Sequence, residues 1–299
     1  MKKLMFAAAA IAAGVAVADV TSANIVGYNN AGLRDFGNAI TASFLGVGAT
    51  DTFKLNDIKI TGYEDDEELK TRGGLIGMEF SFALLDYTGS TMDDDAFGFW
   101  YRDCIDGKWE DGYWFYNYEP ADDSVTFNAG EGFWFTSLSA PKDGSGNPTA
   151  TYKFVNSGAV DQNDRNYKLR DFGNLVGNPM PTTINLSDVT ITGYENNEEV
   201  KTRGGLIGME FSFALLDYTG STMDDDAFGF WYEDCIDGKW QGGYWFFNYE
   251  PVEPGEVDLP LPPGQAMWMT AMSAPKDEDE KPLEAYYLQF PTPVPAAAK

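Results

Sequence analysis

The chain contains no histidine among its 299 residues, so carboxylates, aromatic rings and two thiols are what remain to do chemistry. That absence removes Ser-His-Asp and Cys-His catalysis together with the commonest zinc ligand. Neither a phosphate-cradling glycine loop nor a CxxC pair occurs. Glycoside hydrolysis needs only two carboxylates, which may lie far apart in sequence, but 47 acidic residues nominate no particular pair. The densest acidic groups are Asp93, Asp94 and Asp95, repeated as Asp224, Asp225 and Asp226. With the acidic turn Glu64 to Glu68 they offer the hard oxygens that calcium takes six to eight of. No D-x-D-x-D-G loop accompanies them, and a solvated acidic turn is the alternative reading.

Aromatic residues form the second constellation: Trp100, Tyr101, Trp109, Tyr113, Trp114 and Tyr118, matched by Trp231, Tyr232, Trp240, Tyr244, Trp245 and Tyr249. Along Tyr113 to Tyr118 both alternating faces carry rings, so one face enters a core and the other meets a second layer or solvent. An exposed patch of Trp100, Tyr101, Trp109 and Trp114, with Trp231, Tyr232, Trp240 and Trp245, would suit sugar rings or a partner protein. A core built from large rings is the competing reading. The thiols, Cys104 and Cys235, take the same place in two copies, so a bond between them would need the copies to face each other about a local two-fold. Otherwise each is free or bonds another chain. Flanking aspartates disfavour a thiolate at either position.

The elements that must position these groups come in duplicate. KTRGGLIGMEFSFALLDYTGSTMDDDAFGFWY runs from Lys70 to Tyr101 and again from Lys201 to Tyr232, inside recognisable copies from Leu33 to Asp143 and Leu169 to Asp277. The second copy is five residues shorter between LRDFGN and the glycine at 62 or 193, which places Gly46 to Asp51 in a surface loop. DIKIT and DVTIT alternate as half-buried strands. Met78, Phe80, Phe82 and Leu84 read as the inward face of a strand that leaves Glu79 on the wetter side. Asp106-Gly107 and Asp237-Gly238 are hairpin turns of type I′. No helix of useful length is legible, so the expected fold is all-β, two tandem β-sandwich or barrel-like domains related by internal duplication. The expected boundaries are a signal peptide at 1–18, a first domain at 19–156, a second at 157–290 and a flexible tail at 291–299.

The leader has Lys2 and Lys3, a short apolar run and Ala16-Val17-Ala18 for cleavage. That run is too short to span a bilayer, so no transmembrane helix is expected. Export to the periplasm, cell surface or medium follows. The formal charge is −27, which repels nucleic acid and anionic lipid and leaves cations, neutral glycans and basic proteins as partners. Oligomeric state is open.

Differences between the copies constrain any chemistry that both share. Arg102 becomes Glu233, which points to an exposed side chain outside a shared site. Glu110-Asp111 becomes Gln241-Gly242, which removes a carboxylate pair. Gly130 is kept as Gly264 while Gly132 becomes Ala266, so only the first position needs a glycine-only conformation. The start SANIVGY and the segment GEGFWF at Gly130 to Phe135 resemble exported bacterial tandem β-repeat proteins that are themselves uncharacterised. The resemblance implies export and β architecture, and it lends no catalytic residue. The function expected is a non-enzymatic envelope or secreted protein acting as a structural or adhesive binding module. The alternatives are calcium-assisted glycan recognition by the Trp/Tyr patch and a carbohydrate-active hydrolase.

Overall fold

The computed structural model describes residues 26–46, 51–71, 76–88, 91–160, 165–202, 205–219, 222–252, 260–279 and 281–291. The expected leader, the Gly73-Gly74 pair and most of the tail lie outside these residues, as does most of the Gly46 to Asp51 loop. The chain is all-β, with antiparallel sheets throughout the described residues. The strands used below from the first copy are β1 (Val26–Gly32), β2 (Phe36–Thr41), β3 (Ile58–Thr61), β4 (Ser81–Thr88), β5 (Thr91–Tyr101), β6 (Tyr113–Tyr116), β7 (Glu119–Pro120), β8 (Gly132–Ser137) and β9 (Lys153–Ala159). Their counterparts are β10 (Arg165–Lys168), β11 (Phe172–Gly177), β12 (Thr190–Thr192), β13 (Ser212–Thr219), β14 (Thr222–Ile236), β15 (Tyr244–Phe247), β16 (Glu250–Pro251), β17 (Ala266–Ala271) and β18 (Tyr287–Phe290).

Strand order is the same in both halves. The larger sheet runs β7-β6-β5-β4-β8-β2 in the first and β16-β15-β14-β13-β17-β11 in the second. A smaller sheet, β1-β9-β3 or β10-β18-β12, closes the inner face. Two hydrophobic clusters result, one per half. In the first, Phe80, Phe82, Trp114, Phe133 and Phe135 pack with Ile58, Ile60 and Phe154 from the smaller sheet. In the second, Met267 and Met269 replace Phe133 and Phe135, and the flexible thioethers fill the space the rings leave. Asp106 and Gly107 have φ of 49° and 76°, and Asp237 and Gly238 50° and 74°, as a type I′ hairpin demands. Gly130 and Gly264 also have positive φ, at 84° and 82°, whereas Gly132 is absent from that class.

Two local features depart from the sequence reading. The inward strand begins at Ser81, not at Met78, and Met78 is exposed. Its neighbour Glu79 turns back so that Oε2 accepts from the Gly77 N–H at 2.8 Å, a turn that Glu210 and Gly208 repeat at 2.7 Å. The acidic turn is also structural in part. Asp66 is buried, accepts from the Glu68 and Leu69 amides at the start of α1 (Glu67–Thr71), and accepts from the Tyr152 hydroxyl. Asn197 keeps the equivalent cap and donates to Tyr286 instead, because a phenol can serve either way.

The halves meet like the two parts of a lap joint. Strand β11 touches β2, β8 and β4, while β2 touches β11, β17 and β13. The backbone bonds are reciprocal: Thr41 N donates to Gly264 O at 3.0 Å, and its counterpart Gly177 N donates to Gly130 O at 2.9 Å. Bridges pair Ile40 with Gln265 and Glu131 with Val176, again exchanged by a local two-fold. The residues at the contact belong to the faces that point away from each core. A Cβ on Gly132 would sit 2.8 Å from Leu175 Cγ, and one on Gly177 would sit 2.1 Å from Thr41 Cγ2.

Candidate functional site: two aromatic ladders

Beyond the lap, strands β5 and β6 carry their two kinds of ring to opposite sides. The register pairs Trp100 with Trp114 and Phe99 with Phe115. Both tryptophans enter the core, at 4% and 0% exposure, and meet edge to face at 5.3 Å. Their indole N–H groups are satisfied internally, Trp100 by the Tyr63 hydroxyl at 2.9 Å and Trp114 by Ile58 O at 2.8 Å. Trp231 and Trp245 repeat the arrangement with Tyr194 and Val189 O. Trp109 and Trp240 are half-buried, donate to Glu64 O and Glu195 O, and stand edge-on to Tyr63 and Tyr194. The nominated tryptophan patch is therefore corrected. Trp100, Trp114, Trp231 and Trp245 are core residues, since the period of two sends them inward with the phenylalanines of β4 and β8.

Tyr101 and Tyr232 lie on the other face, within a ladder of six rings per copy. In the first copy Phe97, Phe99 and Tyr101 from β5 stand beside Tyr118, Phe115 and Tyr113 respectively. Phe99 and Phe115 are stacked at 4.8 Å with planes 9° apart, and the second copy repeats this in Phe230 and Phe246 at 4.9 Å and 6°. Tyr232 with Tyr244 and Phe228 with Tyr249 complete the duplicate. The outer rungs face solvent, Tyr118 at 72% and Tyr249 at 70% exposure. Tyr113 and Tyr244 are exposed too, and the phenylalanines are half-buried.

Backbone strain holds the outermost ring in place. Asn117 and Tyr118 have φ of 47° and 68°, and Asn248 and Tyr249 47° and 69°, although tyrosine rarely enters that region. Asn117 N donates to Phe97 O while its Oδ1 accepts from Phe97 N, locking the turn onto β5. At the far end the Tyr101 hydroxyl donates to Asp103 Oδ2 at 3.1 Å, as Tyr232 does to Asp234. That bond to a carboxylate holds both phenols above their ordinary pKa. Alternation along β5 puts Phe97, Phe99 and Tyr101 on one face, but alternation alone does not say which face is inward. The signal was the Trp100–Trp114 register, visible only once the strands are paired.

The remaining candidates do not converge with the ladders. Asp93 to Asp95 and Asp224 to Asp226 run within β5 and β14, and the register leaves Asp95 and Asp226 unpaired at a β-bulge. Their side chains lie outside the described residues. Among the described residues no three His, Cys, Asp or Glu side chains gather as a metal site. Cys104 and Cys235 are free and half-buried.

The Arg102/Glu233 position corrects a second expectation, because it lies in the wall of the tyrosine cage and not at an indifferent surface. Arg102 Nη1 donates to the Tyr63 hydroxyl at 3.1 Å and to Glu64 at 2.9 Å, and the guanidinium sits 5.7 Å from the Tyr63 ring centroid. Glu233 is buried and accepts from the Tyr194 hydroxyl. No family model, curated protein or solved structure matches the chain.

Proposed function

We propose that the protein is an exported, non-enzymatic adhesive module that holds neutral glycan chains on its two aromatic ladders. The observation that carries this reading is the ladder itself: six rings with half-buried bases and exposed outer rungs, built twice with the same ring geometry. The exposed rings of Tyr113, Tyr118, Tyr244 and Tyr249 suit the C–H faces of sugar rings, since the electron-rich face of an aromatic ring attracts weakly positive hydrogens. Neutral chains are favoured because a formal charge of −27 repels acidic ones. Side-chain amides and carboxylates at the rim, Asn117, Asp103 and Glu119 among them, supply acceptors and donors for hydroxyls.

The test is retention on immobilised neutral polysaccharides and a glycan array, using the mature chain and a variant with Tyr113→Ala, Tyr118→Ala, Tyr244→Ala and Tyr249→Ala. The four substitutions are expected to weaken binding at least tenfold, about 1.4 kcal/mol, with the melting temperature little changed because these rings are exposed. A wild-type chain that retains no neutral glycan, or a variant that binds as well, overturns the reading. Trp114→Ala is no substitute for this test: it opens the core and costs about 3–5 kcal/mol of stability.

A further inference from the structure

The two ladders share their rings but not the charge at one end. Beyond Tyr101 and Tyr113 the sheet continues into the Asp106-Gly107 hairpin, where Cys104 pairs with Trp109. One rung nearer the ladder, Glu110 N donates to Asp103 O at 2.8 Å. Residues directly opposite in an antiparallel pair share a face, and the bond from the Tyr101 hydroxyl to Asp103 Oδ2 makes that face the ladder's. The first ladder therefore ends in two carboxylates set against each other, Asp103 half-buried and Glu110 exposed. Among the described residues neither has an ion pair. In the second copy Cys235 pairs with Trp240, Gln241 N donates to Asp234 O at 2.8 Å, and Tyr232 donates to Asp234 as before. An amide thus stands where the first copy has Glu110.

Neighbouring charges do not undo this difference. Lys108 recurs on the second hairpin as Lys239. Arg102 points to the other side of the sheet, where Glu64 pairs with it at 2.9 Å, and Glu233 is buried on that same side against Tyr194. Like charges directly opposite across two strands destabilise the pairing, and the second copy is relieved of that cost. At the first ladder a bound cation would relieve it instead. The same cation would gain from the negative faces of the adjoining phenol rings, of which Tyr113 is exposed.

From this complementarity we infer that the first ladder takes glycan chains whose sugars carry protonated amino groups, with an ammonium held between Asp103 and Glu110. The inference rests on the glycan reading of the ladders and divides them by substrate: amine-bearing chains at the first, uncharged chains at the second. The six rings themselves carry no charge and only this end does, which favours a sugar chain with an amine substituent over an all-basic peptide.

Each ladder is read alone by silencing the other, with Tyr244→Ala and Tyr249→Ala or with Tyr113→Ala and Tyr118→Ala. Titration calorimetry of the mature chain compares a glucosamine oligosaccharide with its N-acetylated form, which is uncharged. Mildly acid pH keeps the amines protonated and the carboxylates ionised. The first ladder is expected to bind the amine form about tenfold more tightly than the acetylated one, and the second several-fold less selectively. Glu110→Gln is expected to bring the first ratio down to the second, and Gln241→Glu to raise the second toward the first. Equal ratios at the two ladders overturn the inference, as does a preference that survives Glu110→Gln or fails to appear with Gln241→Glu. Undiminished binding of the amine form when all four tyrosines are replaced, or equally tight binding of a lysine oligopeptide of the same charge, would show that charge alone suffices and overturns it too. If the acetylated form binds both ladders and the amine adds nothing, this inference falls and the glycan reading stands. If neither form nor any other neutral glycan binds, the glycan reading itself has failed.

Discussion

Tyr63 and Tyr194 occupy equivalent places yet answer opposite charges. Tyr63 accepts from Arg102 and from the Trp100 indole, whereas Tyr194 accepts from Trp231 and donates to Glu233. A hydroxyl that is both donor and acceptor lets one cage hold either sign. The two solutions do not share the same pH behaviour. Burial, joined by the nearby Glu195 charge, pushes the Glu233 carboxyl above its ordinary value, although the bond from Tyr194 opposes this. A carboxyl whose folded pKa is raised binds its proton more tightly when folded. Its contribution is fully present below the unfolded pKa and is lost as pH rises through the raised folded value. Glu233→Gln keeps an acceptor for Tyr194 and removes the charge. The variant is therefore expected to be more stable than the parent at neutral pH by about 1 kcal/mol, and the gain should shrink toward zero at acid pH. Denaturant melts across that range check it, and a pH-independent difference would count against burial of the charge as the cause.

At the scale of elements, the lap joint depends on outward faces that are small where the strands cross. Gly132 faces Leu175, whereas the two-fold counterparts are Ala266 and Ala39, so bulk has been traded across the axis. Gly132→Ala puts a methyl against both the Leu175 side chain and its carbonyl, and is expected to destabilise by about 1–3 kcal/mol. Leu175→Ala opens space on its own. Together the two should cost less than the sum of the singles by about 1 kcal/mol or more, because the pair then resembles the other side of the joint. Additive midpoints in a double-mutant cycle would show that the copies do not touch here. Sequence reading reached the local parts of this architecture. The Asp-Gly hairpins were legible because positive φ restricts residue choice, and the strands because their periodicity is short-range. It mistook Met78 for a core residue because the Glu79 turn imitates strand alternation. The site was half legible: rings on both sides of Tyr113 to Tyr118 marked an aromatic layer, but inside and outside are decided by β4 and β8, which are distant in sequence. The joint was not legible, since it is made by faces that each copy alone would leave to solvent.

The joint also decides what two ladders can do in one molecule. Because β11 crosses β2, β8 and β4 while β2 crosses β11, β17 and β13, the sheets overlap by their first three strands in opposite order. Strands β5–β6 extend past one end of the overlap and β14–β15 past the other. The ladder faces are continuations of the two surfaces that meet in the joint, so they look in opposite directions from opposite ends. A single straight glycan cannot lie on both, and the gain in apparent affinity that linked sites give on one ligand is lost when geometry forbids joint engagement. What two opposed sites permit is bridging. With a soluble neutral polysaccharide that the protein retains, the intact chain is expected to form a scattering network with a maximum near equivalence of sites and chains. Tyr113→Ala with Tyr118→Ala disables one ladder and should leave binding to a short oligosaccharide at the other, while abolishing the scattering. Tyr244→Ala with Tyr249→Ala should do the same from the opposite end. Tenfold tighter binding of the intact chain to long over short glycan, with no network at any ratio, would mean that one chain reaches both ladders and that the sheets are not opposed as described.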